Sequence, residues 1–260
     1  MTETTLLVRD DADRVTVTFN RPGRGNAFNM RLLAELNAVL DRIEAESRPR
    51  LVVIEGRDGV FCKGLDLQDL LEAGDRPGGG PEPDHSARLY IETLRRLTLF
   101  PRLVVAVVDG AAIAGGLGFV AASDVAVATP RSQFSLPEAV WGLVPACVGL
   151  YVLRRTGFQA AYRLALTTEL IAAPEALSLG LVDQVTETPE EVLRRLSVKA
   201  GRLAPATVGD IKRYFRAIGA IDPEREERAV METDRLMADA RVREAITDYV
   251  RYQRFPWNRP

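Results

Sequence analysis

"AIAGGLGF", residues 112–119, sets three glycines (Gly115, Gly116 and Gly118) within four positions of an apolar stretch. Glycine gives up core packing and costs backbone entropy, so such a cluster needs a compensating use. One use is close approach of the backbone to a ligand, which presents N–H groups with no side chain in the way. The stretch therefore asks which negative charge those groups meet: a resident phosphate, or a charge that develops during a reaction.

The phosphate readings fit poorly. Gly116-x-Gly118-x-x-Ala121 satisfies the loose dinucleotide pattern, but that motif needs a strand ending at its first glycine and a full helix before the next strand. Here the apolar run 103–108 ends several residues early, and "DVAVAT" (124–129) begins three residues after Ala121. A Walker-type loop fails because no Gly-Lys-Ser/Thr follows. A third reading, glycines that let a helix pack tightly on a sheet, stays open at this level.

Outward from the glycines, "RVTVTF" (14–19) alternates as a half-buried strand, and "NRPGRGNAF" (20–28) reads as a loop. Leu32, Leu33, Leu36, Leu40 and Ile43 recur at helical spacing between Asn29 and Ile43. "LVVIEG" (51–56) and "LVVAVV" (103–108) are buried strands. A helix begins near Asp66 and stops before "GDRPGGGPEPD" (74–84), a loop by composition, and another runs from about His85 to Leu99. Short β segments fall at "DVAVAT" and "SQFSL" (132–136). From about Val148 successive helices follow: one carrying Ala161, Leu164 and Ala165, another over 190–203, and a last one over 223–252 opening with Pro223 and Glu224. The chain thus reads as an α/β domain with a helical tail, without a linker or an evident internal repeat.

Bulk properties narrow the function classes. The 260 residues are 47% hydrophobic and 27% charged, with a formal net charge of −2, so no global basic field invites nucleic acid or an anionic membrane. Cys62 and Cys147 show neither metal-ligand spacing nor a disulfide framework. The acidic start "MTETTLLVRDDADR" is unlike a signal peptide, and the uncharged runs 110–123 and 139–153 are too short to span a bilayer. The expectation is a soluble cytoplasmic protein.

Five ordered segments carry a resemblance over nearly the whole chain. They are "NRPGRGNAF", "FCKGLDL" (61–67), "GAAIAGGLGFVAASD" (110–124), "FSLPEAVWGLVP" (134–145) and "APEALSLGLVDQV" (173–185). Together the pattern resembles the crotonase (enoyl-CoA hydratase/isomerase) superfamily. The resemblance implies a repeated β-β-α superhelix over residues 1–200 and a C-terminal helical region over 201–260 that serves oligomerisation and active-site cover. It also implies an acyl thioester on CoA or on the phosphopantetheine of an acyl carrier protein, no other cofactor and no metal. A homotrimer or dimer of trimers is the implied assembly.

Members of that superfamily stabilise a thioester enolate with two backbone N–H groups, which by position are Leu65, after Gly64, and Gly115. Hydratases of the family usually carry two glutamates. One position is Gly118 here, so that acid is missing, and the other is Glu138, in an apolar run where desolvation would raise a carboxylate towards a useful base. The bland reading of Glu138 is an ordinary surface or capping glutamate. The vacancy at Gly118 is expected to leave room for a branched acyl group or a substrate carboxylate. Asp66 divides evenly between loop support and catalysis. Lys63 is either solvated or a contact to a phosphopantetheine phosphate or an acidic acyl tail, Arg21 and Arg24 are contacts to a nucleotide or phosphopantetheine phosphate unless one of them is solvated, and Gly116 lines the thioester site with Gly64 and Gly118. His85, the single histidine, borders the loop as a weak catalytic candidate. The cysteines read as core.

Within the family, "PEAVWGLVPACVGLYVLRRTGFQAAYRLALTTELIAAPEALSLGLVD" (137–183) and "FPW" (255–257) are similar to the dehydratases of polyketide β-branching cassettes. These convert 3-hydroxy-3-methylglutaryl-acyl carrier protein to the 3-methylglutaconyl thioester. The alternatives are a generic enoyl-CoA hydratase, isomerase or decarboxylase, and a non-catalytic thioester-binding protein.

Overall fold

The computed structural model describes residues 4–46, 48–74, 86–219 and 221–258. Its first strands, β1 (Leu6–Asp10) and β2 (Arg14–Phe19), pair antiparallel with Leu6 opposite Phe19. β1 falls outside the sequence expectation because only Leu6 of its five residues is buried, so no alternation marks it. A 3-10 turn, Pro22–Arg24, leads towards α1 (Met30–Ala45), which buries the five apolar residues its spacing singled out. Asn29 caps that helix, its side chain accepting the Leu32 N–H at 2.9 Å.

From there strands come in pairs. β3 (Leu51–Glu55) and β4 (Val60–Cys62) precede α2 (Leu67–Gly74) and α3 (Ser86–Leu99). β5 (Leu103–Val108) and β6 (Ala111–Ile113) precede α4 (Gly116–Ala122). β7 (Val125–Ala128) and β8 (Gln133–Ser135) precede a 3-10 turn, Glu138–Trp141, then α5 (Ala146–Thr156) and α6 (Phe158–Thr167). β9 (Ile171–Ala172), α7 (Ala173–Ser178) and β10 (Gln184–Val185) complete the sheets.

The first strand of each pair joins a six-stranded sheet ordered β1-β2-β3-β5-β7-β10, and the second joins a four-stranded sheet ordered β4-β6-β8-β9. This is a β-β-α unit wound three times, a repeat of topology that leaves no periodic mark in the sequence. The runs "LVVIE" and "LVVAVV" are continuously apolar because the large sheet is covered on both faces. One face meets α1, α3 and α4 through residues such as Val52, Ile54 and Val104. The other meets Val192 and Leu193 through Leu51, Val53, Val105 and Val127.

The corners between paired strands stack on one another. Gly110 has φ +107°, and a Cβ there would lie 1.8 Å from the Gly59 carbonyl oxygen. Gly110→Ala is therefore expected to cost about 2–4 kcal/mol of unfolding free energy, the sum of left-handed strain and a backbone clash. Urea unfolding measures this, and a loss below 1 kcal/mol, the approximate size of a tolerated change, would mean the corner yields easily.

The tail comprises α8 (Pro189–Ala200), α9 (Pro205–Ile218), α10 (Pro223–Met237) and α11 (Ala240–Tyr252). α8 confirms the helix expected over 190–203, whereas α9 was not anticipated. The single helix expected over 223–252 is two. Asp239 adopts extended backbone and accepts the Arg241 N–H at 2.8 Å, so it ends one helix and caps the next. Among the described residues no helix is long and apolar enough to cross a membrane.

Candidate active site

β4, β6 and β8 lie side by side and parallel in the smaller sheet. The chain leaves their carboxyl ends in the segments that carry Leu65, Gly115 and Glu138, so neighbouring strand ends bring the three together. The first two segments touch. Gly64 has φ +89°, and a Cβ on it would lie 2.9 Å from Ala114 Cβ and 3.1 Å from the Gly115 nitrogen. Ala114 also sits in the left-handed region, at φ 51°, a conformation a residue with a side chain adopts only when its surroundings impose it.

The two expected donors are free of backbone partners. The Phe28 N–H donates to the Gly64 carbonyl at 2.8 Å, and the Asp66 N–H donates to the Phe28 carbonyl at 2.8 Å. These bonds engage the residues on either side of Leu65 and turn its own N–H the other way. Among the described residues, neither the Leu65 N–H nor the Gly115 N–H donates to a backbone carbonyl. Aimed at a developing oxyanion, two such groups supply charge stabilisation without reorganisation.

Glu138 opens the 3-10 turn that follows Pro137. Its Oε2 is buried with no hydrogen-bond partner, and desolvation pushes the carboxyl up to about 7 against a small opposing effect of its own backbone N–H. A carboxylate of that basicity can accept a proton near neutral pH. The turn is covered from the C-terminal region, where Trp141 packs on Tyr249 at 4.5 Å between ring centroids and on Phe255 at 5.7 Å. Gly142, at φ +77°, brings the same turn against Val242 of α11.

Asp66 Oδ1 accepts the Gln68 and Asp69 N–H groups at 3.1 Å each, capping α2. Its buried Oδ2 lies 2.8 Å from the Arg21 guanidinium as an ion pair but takes no hydrogen bond. The capping bonds and the ion pair tie Asp66 to its loop. Arg21 also donates to the Ala27 carbonyl and pairs with Asp69, so it ties the early loop to the donor loop. Replacing Arg21 with leucine would leave Asp66 buried and unpaired, and should cost about 3–5 kcal/mol in urea unfolding. An effect under 1 kcal/mol, the approximate worth of a surface pair, would show that Arg24 replaces it.

The remaining residues divide. Arg24 lies 3.9 Å from Asp66 and 3.8 Å from Glu72, and Lys63 is exposed with its stem laid over Gly25. Gly116 is a packing glycine, since a Cβ there would sit 2.2 Å from the Cys62 carbonyl oxygen. That contact fits the tight-packing reading at this position. The room expected beside Gly118 is absent, because the Tyr90 hydroxyl lies 1.9 Å from where its Cβ would be. Local sequence could not supply that correction, since Tyr90 arrives from α3, 28 residues earlier. Burial pushes the Cys62 thiol up to about 12 and the Cys147 thiol up to about 11, which removes both as nucleophiles. His85 and the loop over 75–84 lie outside the described residues.

The geometry has counterparts among known proteins. The enoyl-CoA hydratase/isomerase family pattern matches residues 12–260. The bacillaene synthase dehydratase PksH of Bacillus subtilis is 31% identical over 260 residues, covering 99% of this chain and 98% of that protein. The short-chain-enoyl-CoA hydratase of Clostridium acetobutylicum is 30% identical over 208 residues, covering 78% of this chain and 77% of that protein. A crystal structure of pksH from Bacillus subtilis superposes with a TM-score of 0.90 at 31% identity, covering 98% of this chain and 100% of that one. With its repeated β-β-α units, its helical C-terminal region and this match across the chain, the protein belongs to the enoyl-CoA hydratase/isomerase (crotonase) family.

Proposed function

We propose that this protein is a hydro-lyase that dehydrates a 3-hydroxyacyl thioester, with 3-hydroxy-3-methylglutaryl on an acyl carrier protein as its substrate. The observation that carries the reading is Glu138, a half-buried glutamate whose buried Oε2 has no hydrogen-bond partner, at the same strand ends as two untaken N–H groups. The glycine at 118 supplies no second acid.

In this reading the thioester oxygen accepts hydrogen bonds from the Leu65 and Gly115 N–H groups. Glu138 removes the C2 proton, and the electron pair of that C–H bond delocalises as an enolate on the thioester oxygen. The enolate collapses to form the C2=C3 bond as the C3–O bond breaks. The proton held by Glu138 passes to the departing hydroxyl, water leaves, and the carboxylate is restored. Asp66, Arg21 and Arg24 hold the donor loop, and exposed Lys63 contacts the phosphate of the phosphopantetheine arm. The exposed apolar faces of α6 (Phe158, Tyr162, Leu166) and α9 (Ile211, Tyr214, Phe215, Ile218) support self-association, as a homotrimer or dimer of trimers.

Purified protein incubated with 3-hydroxy-3-methylglutarate on an acyl carrier protein and on CoA, followed by mass spectrometry of the thioester, tests the proposal. Loss of one water from the carrier-bound form, faster than from the CoA form, is the expected result. No water lost from either, with hydration of crotonyl-CoA instead, would make the chain a CoA-dependent hydratase.

A further inference from the structure

The side chain that closes the space beside Gly118 does more than fill it. Tyr90 is 5% exposed. Its ring stacks on Phe28 at 4.6 Å between centroids and 7° between planes, and meets Phe119 edge-on at 5.7 Å and 78°. Its hydroxyl donates to the Gly115 carbonyl, which also accepts the Gly118 N–H at 3.1 Å. Desolvation holds the phenol well above its ordinary pKa, so it stays a neutral donor. Phe28 in turn grips the other loop, through its backbone bonds to Gly64 and Asp66 on either side of Leu65. A single stacked pair is therefore bonded to Gly115 and to the residues on either side of Leu65. Its rings are also tight against the second, since a Cβ on Gly115 would be 2.8 Å from Phe28 Cε1 and 3.4 Å from the Tyr90 hydroxyl.

The geometry points to Tyr90 as a positioning and specificity-determining residue: its hydroxyl and its stack on Phe28 set the aim of the Gly115 N–H relative to that of Leu65, and its ring closes the place beside Gly118 to a second acid. The inference rests on the reading of those two N–H groups as the oxyanion donors. Misplacing a reacting geometry by about 1 Å can cost about 100-fold, so a bond that anchors the residue carrying one donor matters to rate. A single carboxylate then does both proton transfers. A substrate that needs a second acid to hold an attacking water finds the Tyr90 phenol in its place.

Tyr90→Phe removes only the hydroxyl and keeps the stack. It should stay folded by circular dichroism and lose about tenfold in kcat with KM within about twofold, part of the full worth of an oxyanion donor. Acetoacetyl-CoA supplies a readout independent of turnover, because its enolate absorbs in the near ultraviolet and is stabilised by the same two N–H groups. The enolate band should be weaker in the variant than in the wild type. A merely structural tyrosine would lower the melting temperature and leave kcat and the band alone, and that outcome overturns the positioning role. So does a wild type with no enolate band. For the closed space, Gly118→Glu alone should be strongly destabilised by the clash with Tyr90. The double variant Tyr90→Ala/Gly118→Glu should recover folding and hydrate crotonyl-CoA at least about tenfold faster than Tyr90→Ala, since general acid–base groups typically contribute that or more. Equal hydration by the two overturns the specificity role. If the wild type dehydrates no 3-hydroxy-3-methylglutaryl thioester, the proposed function fails while the enolate band still reads the donors.

Discussion

Glu138→Gln is expected to lower turnover by at least about 100-fold with the fold intact, because a positioned general base contributes that much or more and the exchange nearly preserves volume. Stopped assays on the purified variant measure the rate, and circular dichroism the fold. In the wild type, kcat/KM should climb as pH rises towards about 7 and then level, since only the carboxylate form of Glu138 accepts the proton. The variant should lack that limb. Stability gives a second readout with the opposite sense. The folded carboxyl keeps its proton up to about pH 7, whereas the ordinary value of an unfolded glutamate is 4.5. Between those values the folded state binds more protons, so raising the pH through the window removes stability. The amide never ionises. E138Q should therefore melt at a higher temperature than the wild type at pH 8, with the gap closing towards pH 5. Equal melting at pH 8 would show that the carboxylate is solvated, and with it the argument for a raised base would fall.

Gly115→Val should abolish detectable turnover, a loss of more than about 1000-fold, the upper end of what one oxyanion donor is worth. The cause differs from simple crowding of the thioester. A Cβ at this position would meet the Phe28 ring at 2.8 Å and the Tyr90 hydroxyl at 3.4 Å, and the two rings are held by their stack on each other. The strain must move the Gly115 backbone, and with it the N–H. Circular dichroism separates this local loss from unfolding. A folded variant with activity within tenfold of the wild type, a loss far below the approximate worth of one donor, would move the oxyanion site away from Gly115.

Much of this was legible in the chain. Helix α1, strands β2, β3 and β5 and the short β segments around Val125 and Phe134 follow from apolar period alone, because each buries a face or both faces within its own few residues. β4, β6, β9 and β10 span two or three residues and, unlike β8 within "SQFSL", have no alternation in the residues around them, so their partners alone define them. The break at Asp239 was also hidden, because the residues on both sides favour helix and only the capping bond stops it.

The sequence by itself determined which residues could carry the chemistry: a glycine cluster after an apolar run, one glutamate in apolar surroundings, and no acid at 118. Tertiary structure alone decided what the glycines are for. Gly64 admits the loops of Leu65 and Gly115 to contact, Gly116 fits the helix to the Cys62 backbone, and Gly118 makes room for Tyr90. The three look alike in sequence because a missing side chain records only that space was needed. What occupies that space is contributed by segments far away in the chain, and packing is settled by whatever the fold brings there.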